Sequence, residues 1–405
     1  LVGVRLYIYT CTSIRRRVFL DIPRRKNIQS YTYIMATHLA AISLAKGQPF
    51  ELQTRPTPKP GPGELLIEVK SVALNPADGY IRDQGLFIST YPTVIGFDIS
   101  GLVLEVGDNV PGSLFQPGIT RVAAYAAPFW RSWGPDYGAF QERCLVPWQH
   151  AAPLPCEGIS WNQAATLPVS VEVPLNAWDI MGISSSSSSA DTHRRTQENK
   201  KQKRDALLIW GASSSVGTMG VQAARLLRED HDSSFAAVYA TAGAANQEYV
   251  SSLGADRVFD HRDSHVVNAI VSAAREDGVV IRHCFLATGQ LAPCQTVLKA
   301  FLEHDSQGIE NQKAKIASAP PIPPDAEEVS GVETIFVLPP ANEEERLARF
   351  QYWMGTWLVE NLAKGNIRPS PEPRVVGKGL EAINAGLDVL LRGVSCTKLV
   401  VEVAE

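Results

Sequence analysis

The residues best placed to do chemistry lie at Ala206-Leu207-Leu208-Ile209-Trp210-Gly211-Ala212-Ser213-Ser214-Ser215-Val216-Gly217. An apolar run ends at a glycine, small residues follow, and a helical spacing then opens at Ser215 and continues through Val216, Met219, Gln222, Ala223 and Leu226. Such a run predicts a buried strand, a tight turn and a helix N-terminus. Small residues there let a pyrophosphate approach the backbone, and the free N–H groups of the first helical turn bind it. The segment departs from a full G-x-G-x-x-G, because Ser213 and Ser215 stand where glycines would. Two readings follow, a dinucleotide site or a turn kept small for packing. The candidate cofactor contacts are Gly211, Ser213, Ser214, Ser215 and Val216.

A second position decides which dinucleotide. The next predicted strand ends in Val238-Tyr239-Ala240-Thr241-Ala242-Gly243-Ala244-Ala245-Asn246. An acidic residue at that end would bind the ribose hydroxyls of NAD. None is present, which favours NADPH and adds Gly243 and Asn246 to the candidates.

The elements that must hold these residues follow from the pattern. Residues 40–150 read as short strands (64–72, 99–106, 121–126) between Gly/Pro turns, with weak helical signals. From 206 onward strands and helices alternate: strands at 206–212, 236–242, 257–260, 279–287, 313–318 and 334–338. Helices fall at 215–228, 246–253, 264–275, 292–302 and 343–363. Alternation of this kind implies a parallel sheet covered on both faces.

Composition sets the outer bounds. The chain has 405 residues, 45% hydrophobic and 20% charged, with a net charge of -4. No global field recruits nucleic acid, and no apolar run reaches the length of a membrane span. The cysteines Cys11, Cys144, Cys156, Cys284, Cys294 and Cys396 are scattered without a C-x-x-C, which argues against a zinc knuckle or disulfide framework and for a reducing, cytoplasmic setting.

Residues 1–35 differ from the rest. Arg5, Arg15, Arg16, Arg17, Arg24, Arg25 and Lys26 face one acid, Asp21. This fits either a mitochondrial transit segment or an extension upstream of a true start at Met35. Residues 184–204, six serines followed by a basic run, read as a disordered insertion. A nuclear address and a read-through intron are the other readings.

Several segments resemble the medium-chain dehydrogenase/reductase superfamily, in its zinc-free quinone and enoyl reductase branches, and especially fungal stand-alone enoyl reductases. They are Ala73-Leu74-Asn75-Pro76-Ala77-Asp78, Tyr80-Ile81-Arg82, Tyr91-Pro92 through Gly96-Phe97-Asp98 to Gly101, Gly138-Ala139-Phe140-Gln141-Glu142, Ala164-Ala165-Thr166-Leu167-Pro168, and Lys398-Leu399-Val400. The resemblance implies an α/β protein: a chaperonin-10-like (GroES-like) β-rich domain at 36–175 and 366–405, and a Rossmann doubly wound domain at 176–365. Asn75 and Phe97 stand where zinc-dependent relatives have a Cys and the His of G-H-E, and neither ligates zinc. Metal is therefore expected to be absent.

Reduction of an enone, enoyl thioester or quinone needs only a hydride and a donor for the enolate. Tyr80 is the expected donor beside the nicotinamide, though it also suits a packing role. Asn75 would orient the nicotinamide or its ribose, or make an Asx turn. Where the fungal relatives have D-W-K, this chain has Asp78-Gly79-Tyr80. The expected S-P-K-N reads Gly243-Ala244-Ala245-Asn246, and His261 or Arg262 would compensate at the 2′-phosphate. Leu286 replaces an Asp ahead of Ala287, whose backbone should face the nicotinamide. Lys398 either faces the cofactor or is solvated at its strand end.

The function so implied is zinc-independent, NADPH-dependent reduction of an α,β-unsaturated carbonyl in secondary metabolism, with a polyketide synthase as partner. The alternatives are a general quinone or enone reductase and a non-catalytic nucleotide-binding protein. Monomer and homodimer are both compatible with the resemblance.

Overall fold

The computed structural model describes residues 36–183, 204–302 and 313–403. The readings of residues 1–35 and of nearly all of 184–204 fall outside them.

The first half is a β-rich unit. Its strands are β1 (Thr37–Ser43), β2 (Glu51–Pro56), β3 (Glu64–Ala73), β4 (Thr93–Val94), β5 (Asp98–Val106), β6 (Arg121–Tyr125), β7 (Arg143–Pro147) and β8 (Ala151–Pro153). Next come β9 (Asp205–Trp210), β10 (Phe235–Thr241), β11 (Arg257–Phe259), β12 (Val280–Leu286), β13 (Ala314–Ser318) and β14 (Val332–Phe336). The chain then returns to the first unit with β15 (Pro373–Lys378) and β16 (Lys398–Glu402).

A small sheet runs β2-β1-β4. A larger one runs β15-β16-β3-β5-β6-β8, with β7 also on β3. Its register matters for function. Ala73 at the end of β3 pairs with Asp98 at the start of β5 and with Val400 of β16. The end of β3 and the start of β5 therefore meet β16, which lies over 300 residues further along the chain.

The second sheet is wholly parallel, in the order β11-β10-β9-β12-β13-β14. Numbered within the domain, that is 3-2-1-4-5-6, the doubly wound order whose crevice lies between the first and fourth strands. β9 shows why the strand forms: Leu207 and Ile209 enter one apolar cluster, Ala206, Leu208 and Trp210 the other. A strand buried on both faces reads as a continuous apolar run.

Two departures from the sequence reading have clear causes. A helix, Pro76–Gln84, sits inside the region read as β-rich. Proline at its first position and an αL glycine, Gly85 (φ 64°), bracket it. Its nine residues are too few for a strong 3.6-residue periodicity. The long helix expected at 343–363 is present but changes pitch: Glu343–Phe350 is α-helical, Gln351–Leu358 is π-helical, and Val359–Ala363 is α-helical again. The helix Pro168–Met181 joins the two sheets. Its second residue donates from its backbone to Asp98 (Val169 N to Oδ1, 2.7 Å), and at its other end Lys315 of β13 donates to the Met181 carbonyl.

Candidate active site

The nucleotide motif forms at the C-terminal end of β9. Gly211 adopts φ +79°, open to glycine at little cost. A Cβ there would lie 2.5 Å from Thr288 Cγ2, and one on Gly217 would lie 2.4 Å from the Gly211 carbonyl oxygen. Both positions therefore exclude any side chain. Ser214 caps the helix Ser215–Glu229: its hydroxyl accepts from Gly217 N at 3.1 Å and donates to the Gly211 carbonyl at 2.9 Å. Ser213, Ser215 and Val216 remain half-buried around the turn, and first-turn N–H groups have no intrahelical acceptor. Ala287 sits alongside, its N–H bonded to the Trp210 carbonyl at 2.9 Å. Leu286 is fully packed in the core and is bound through its backbone to Ala319. The two glycines let Thr288 and the start of the helix pack close against the turn, and the first-turn N–H groups held at its edge suit a pyrophosphate.

At the far end of β10, Gly243 has His261 and Arg262 beside it. A Cβ on Gly243 would meet His261 Cε1 and Arg262 Cζ, each at 3.7 Å. The glycine thus leaves a space walled by two basic side chains, with no acidic residue at the strand end. Asn246 donates through Nδ2 to the Ser395 hydroxyl at 2.9 Å, across to the returning chain.

The third group of candidates is a buried polar cluster. Lys398 is 3% exposed, not solvated at its strand end. Its Nζ lies 2.6 Å from Asn75 Oδ1 and 3.0 Å from Asp98 Oδ2. Asn75 Nδ2 donates to the same Asp98 oxygen at 3.0 Å. Both polar ends of Asn75 are thereby engaged within the protein. Its backbone N–H donates to Asp78 Oδ2 at 2.7 Å, which ties down the start of the helix Pro76–Gln84. Tyr80 lies on that helix, 40% exposed, apart from the buried triad. The structure thus gathers Asn75 with Lys398, Gly243 with His261, and Gly211 with Ser213–Val216 and Ala287, while Tyr80 stands on an open face.

Residues outside the sequence-derived set complete the cluster. Asp78 is fully buried, and burial raises its carboxyl to about 7, helped by Asp98 and opposed by the Asn75 hydrogen bond and Lys398. Glu172, 3% exposed on the helix Pro168–Met181, is raised to about 8 by burial and by Asp98, against a 3.1 Å hydrogen bond from Asn176. Tyr125 is raised well above the ordinary phenol by burial and then by Glu172, Asp98 and Asp78. His150 stacks on Phe350 with centroids 3.8 Å apart, and burial lowers it to about 3. A lone acid inside the apolar run 167–175 was the available signal for Glu172. Asp78 and Asp98 lay within the motifs themselves. Among the described residues no three of His, Cys, Asp and Glu gather as a metal-binding group.

Comparison with known proteins agrees with this architecture. Residues 61–156 match the alcohol dehydrogenase GroES-like domain. The chain is 39% identical over 370 residues to the trans-enoyl reductase tndF of Aspergillus flavipes, covering 90% of this chain and 98% of that protein. It is 40% identical over 314 residues to the trans-enoyl reductase tazE of Aspergillus terreus, covering 77% and 95%. Among solved structures, CurK enoyl reductase superposes with a TM-score of 0.66 at 17% identity, over 91% of this chain and 99% of that one. The chain belongs to the medium-chain dehydrogenase/reductase superfamily, in its enoyl reductase branch. It is an oxidoreductase, and the fold implies a nicotinamide cofactor.

Proposed function

We propose that this protein reduces the C=C bond of an α,β-unsaturated carbonyl, using NADPH and no metal. The observation that carries the reading is the glycine-lined turn at Gly211–Gly217, which opens at the switch point between β9 and β12. The positions of zinc ligands in metal-dependent relatives hold Asn75, engaged with a buried ammonium, and Phe97. Neither offers a metal donor set.

When bound, NADPH supplies the hydride. The backbone of Ser213–Val216 and the helix N-terminus would hold its pyrophosphate, and Ala287 would line the nicotinamide side of the site. His261 and Arg262 flank the space at Gly243 that suits a 2′-phosphate, and no carboxylate there favours a bare ribose. Tyr80 donates a hydrogen bond to the substrate's carbonyl oxygen as negative charge gathers on it. Asn75 and Lys398 act as positioning residues, fixing the start of the helix that carries Tyr80. We take 36–175 with 366–405 and 176–365 as the two domains. An enoyl thioester carried by a polyketide synthase is the preferred substrate, in the cytosol.

Fluorescence titration of the full chain with NADPH and NADH, followed by turnover on enoyl thioesters and quinones, tests this. Tighter binding of NADPH with turnover of the thioesters is expected. Preference for NADH would overturn the cofactor assignment, and turnover of quinones alone would overturn the substrate assignment. Binding without turnover of any acceptor would favour a non-catalytic protein.

A further inference from the structure

The helix Ser215–Glu229 begins at the Gly211–Gly217 turn and ends beside a cavity of about 190 Å³. Leu226 lines that cavity. At 1.5 Å of rise per residue it lies about 16 Å along the helix from Ser215. The cavity is thus set apart from the nucleotide turn. Its size suits a small ligand, since an apolar cavity of about 150 Å³ in another protein accepts benzene.

The walls are aromatic. Trp178 comes from the helix Pro168–Met181, and Tyr352, Trp353 and Trp357 come from the π-helical segment Gln351–Leu358. The pitch of that segment matters. In a π-helix the hydrogen bonds run between residues five apart, so Tyr352 and Trp357 fall on the same side. On an α-helix they would stand about 140° apart. The irregular pitch therefore brings both rings to one wall, and π turns recur at functional sites. Trp178 is 4% exposed, and its Nε1 is a buried donor without a partner among the described residues. A ligand oxygen would restore that missing hydrogen bond.

The charges are of one sign. Asp179 lies in the last turn of the helix Pro168–Met181, and Asp230 caps the C-terminus of the helix Ser215–Glu229. Both line the cavity. A helix C-terminus carries partial negative charge and favours a cation, yet here two such ends and two carboxylates converge. Among the described residues no lysine or arginine lines the cavity. The bases nearby have other partners. Arg349 is shared between Asp179 at 3.1 Å and Glu345 at 4.0 Å. Lys315 donates to the Met181 carbonyl, Arg225 to Glu229, and Arg228 pairs with Asp256. Asp179 also accepts from Trp353 Nε1 at 3.2 Å, and Asp230 accepts from Asp232 N at 3.0 Å. Burial still raises the Asp179 carboxyl, against Arg349 and Trp353. Its negative charge is incompletely offset.

We propose that this cavity is a second binding site, for a small alkylammonium ion that carries a hydroxyl group. The proposal does not depend on the reductase reading. Tryptophan is the best aromatic partner for a cation, which sits over the ring face within about 6 Å of its centroid. The alkyl groups of such an ion keep apolar contact with the rings, and Asp179 and Asp230 balance its charge. Its hydroxyl oxygen accepts from the Trp178 N–H. A phosphate or fatty carboxylate would instead meet two carboxylates and two helix C-termini, and is excluded. Choline has the required chemistry and serves as the probe.

Isothermal titration calorimetry of the full chain, with and without NADPH, tests the site. Choline is compared with 3,3-dimethyl-1-butanol, which has the same shape and no charge. Choline should bind whether or not NADPH is present, and the neutral alcohol should bind about tenfold more weakly. Trp357→Leu and Asp230→Asn should each weaken choline by about tenfold, and Trp357→Phe by less than Trp357→Leu. Circular dichroism checks that each variant is folded. Equal binding of choline and the neutral alcohol would overturn the choice of a cation. Choline binding that both substitutions leave unchanged would overturn the placement. Competition between choline and NADPH would overturn the separation of the two sites. Folded wild type that binds no choline at millimolar concentration would overturn the proposal as a whole.

Discussion

Replacing Lys398 with methionine should destabilise the protein by about 3 kcal/mol. Removing one partner of a buried ion pair costs about 3–5 kcal/mol, because the other charge is left in a dry site. Here the stranded group is Asp98, fully buried. It would lose the ammonium at 3.0 Å but keep Asn75 Nδ2 at 3.0 Å and Val169 N at 2.7 Å. Those two donors place the cost toward the lower figure. Asn75 Oδ1 would also lose its 2.6 Å donor. At about 2.1 cal/mol/K of unfolding entropy per residue, the loss corresponds to about 4 °C in Tm for a chain of this size. Differential scanning calorimetry of wild type, K398M and the double variant D98N/K398M measures it. The double variant should recover most of the loss, since it removes the stranded charge. A Tm change under about 1 °C in K398M, or a double variant no more stable than the single one, would refute the reasoning.

Other consequences can be checked alongside. Glu172 has a folded value raised to about 8 from 4.5, so its native proton stabilises below the unfolded value and that contribution is lost as pH rises to about 8. Glu172→Gln should gain on wild type by on the order of 4 kcal/mol between about pH 5 and pH 8; a flat difference in chemical denaturation would count against the buried acid. His150 is lowered to about 3, so its stability is present above the unfolded value near 6.5 and is lost as pH falls toward 3. His150→Phe should narrow that acid loss in the same assay. Replacing His261 and Arg262 together with alanine should weaken NADPH by about tenfold, or about 1.4 kcal/mol, and leave NADH within about twofold by fluorescence titration. Gly217→Ala would press a Cβ against the Gly211 carbonyl, and loss of binding for both dinucleotides is the expected result.

The nucleotide half was the more legible in the sequence. Its strands are buried on both faces, and β9, β10 and β12 announce themselves as apolar runs between helical periods. The Gly211–Gly217 turn was readable because glycines and small residues mark strained backbone locally. The polar cluster was not, because it is a product of register. Lys398 read alone suggests a solvated strand end. Only the pairing of Ala73 with both Asp98 and Val400 places it beside Asn75. The helix Pro76–Gln84 escaped because Asn75-Pro76 suits a turn as well as a helix start. Gly243, His261 and Arg262 were each visible, but their meeting depends on β10 lying beside β11.

The first turn of the helix Ser215–Glu229 is where we place the cofactor's pyrophosphate, and its buried polar side chains hold something else. Thr218 accepts from the Ser370 hydroxyl at 3.0 Å. Gln222 bonds that hydroxyl at 2.9 Å, the Arg368 carbonyl at 3.2 Å and the Arg368 N–H at 2.9 Å. Arg225 reaches the Asn366 carbonyl. These partners lie on the strip of chain that carries the polypeptide back to β15 and β16. The rod is thus pinned along its length to the strap joining the two halves. A swing of one half against the other would have to tear those pins or carry the rod with it. The turn proposed for the pyrophosphate is thus tied, through Thr218, Gln222 and Arg225, to the strip of chain that returns to β15.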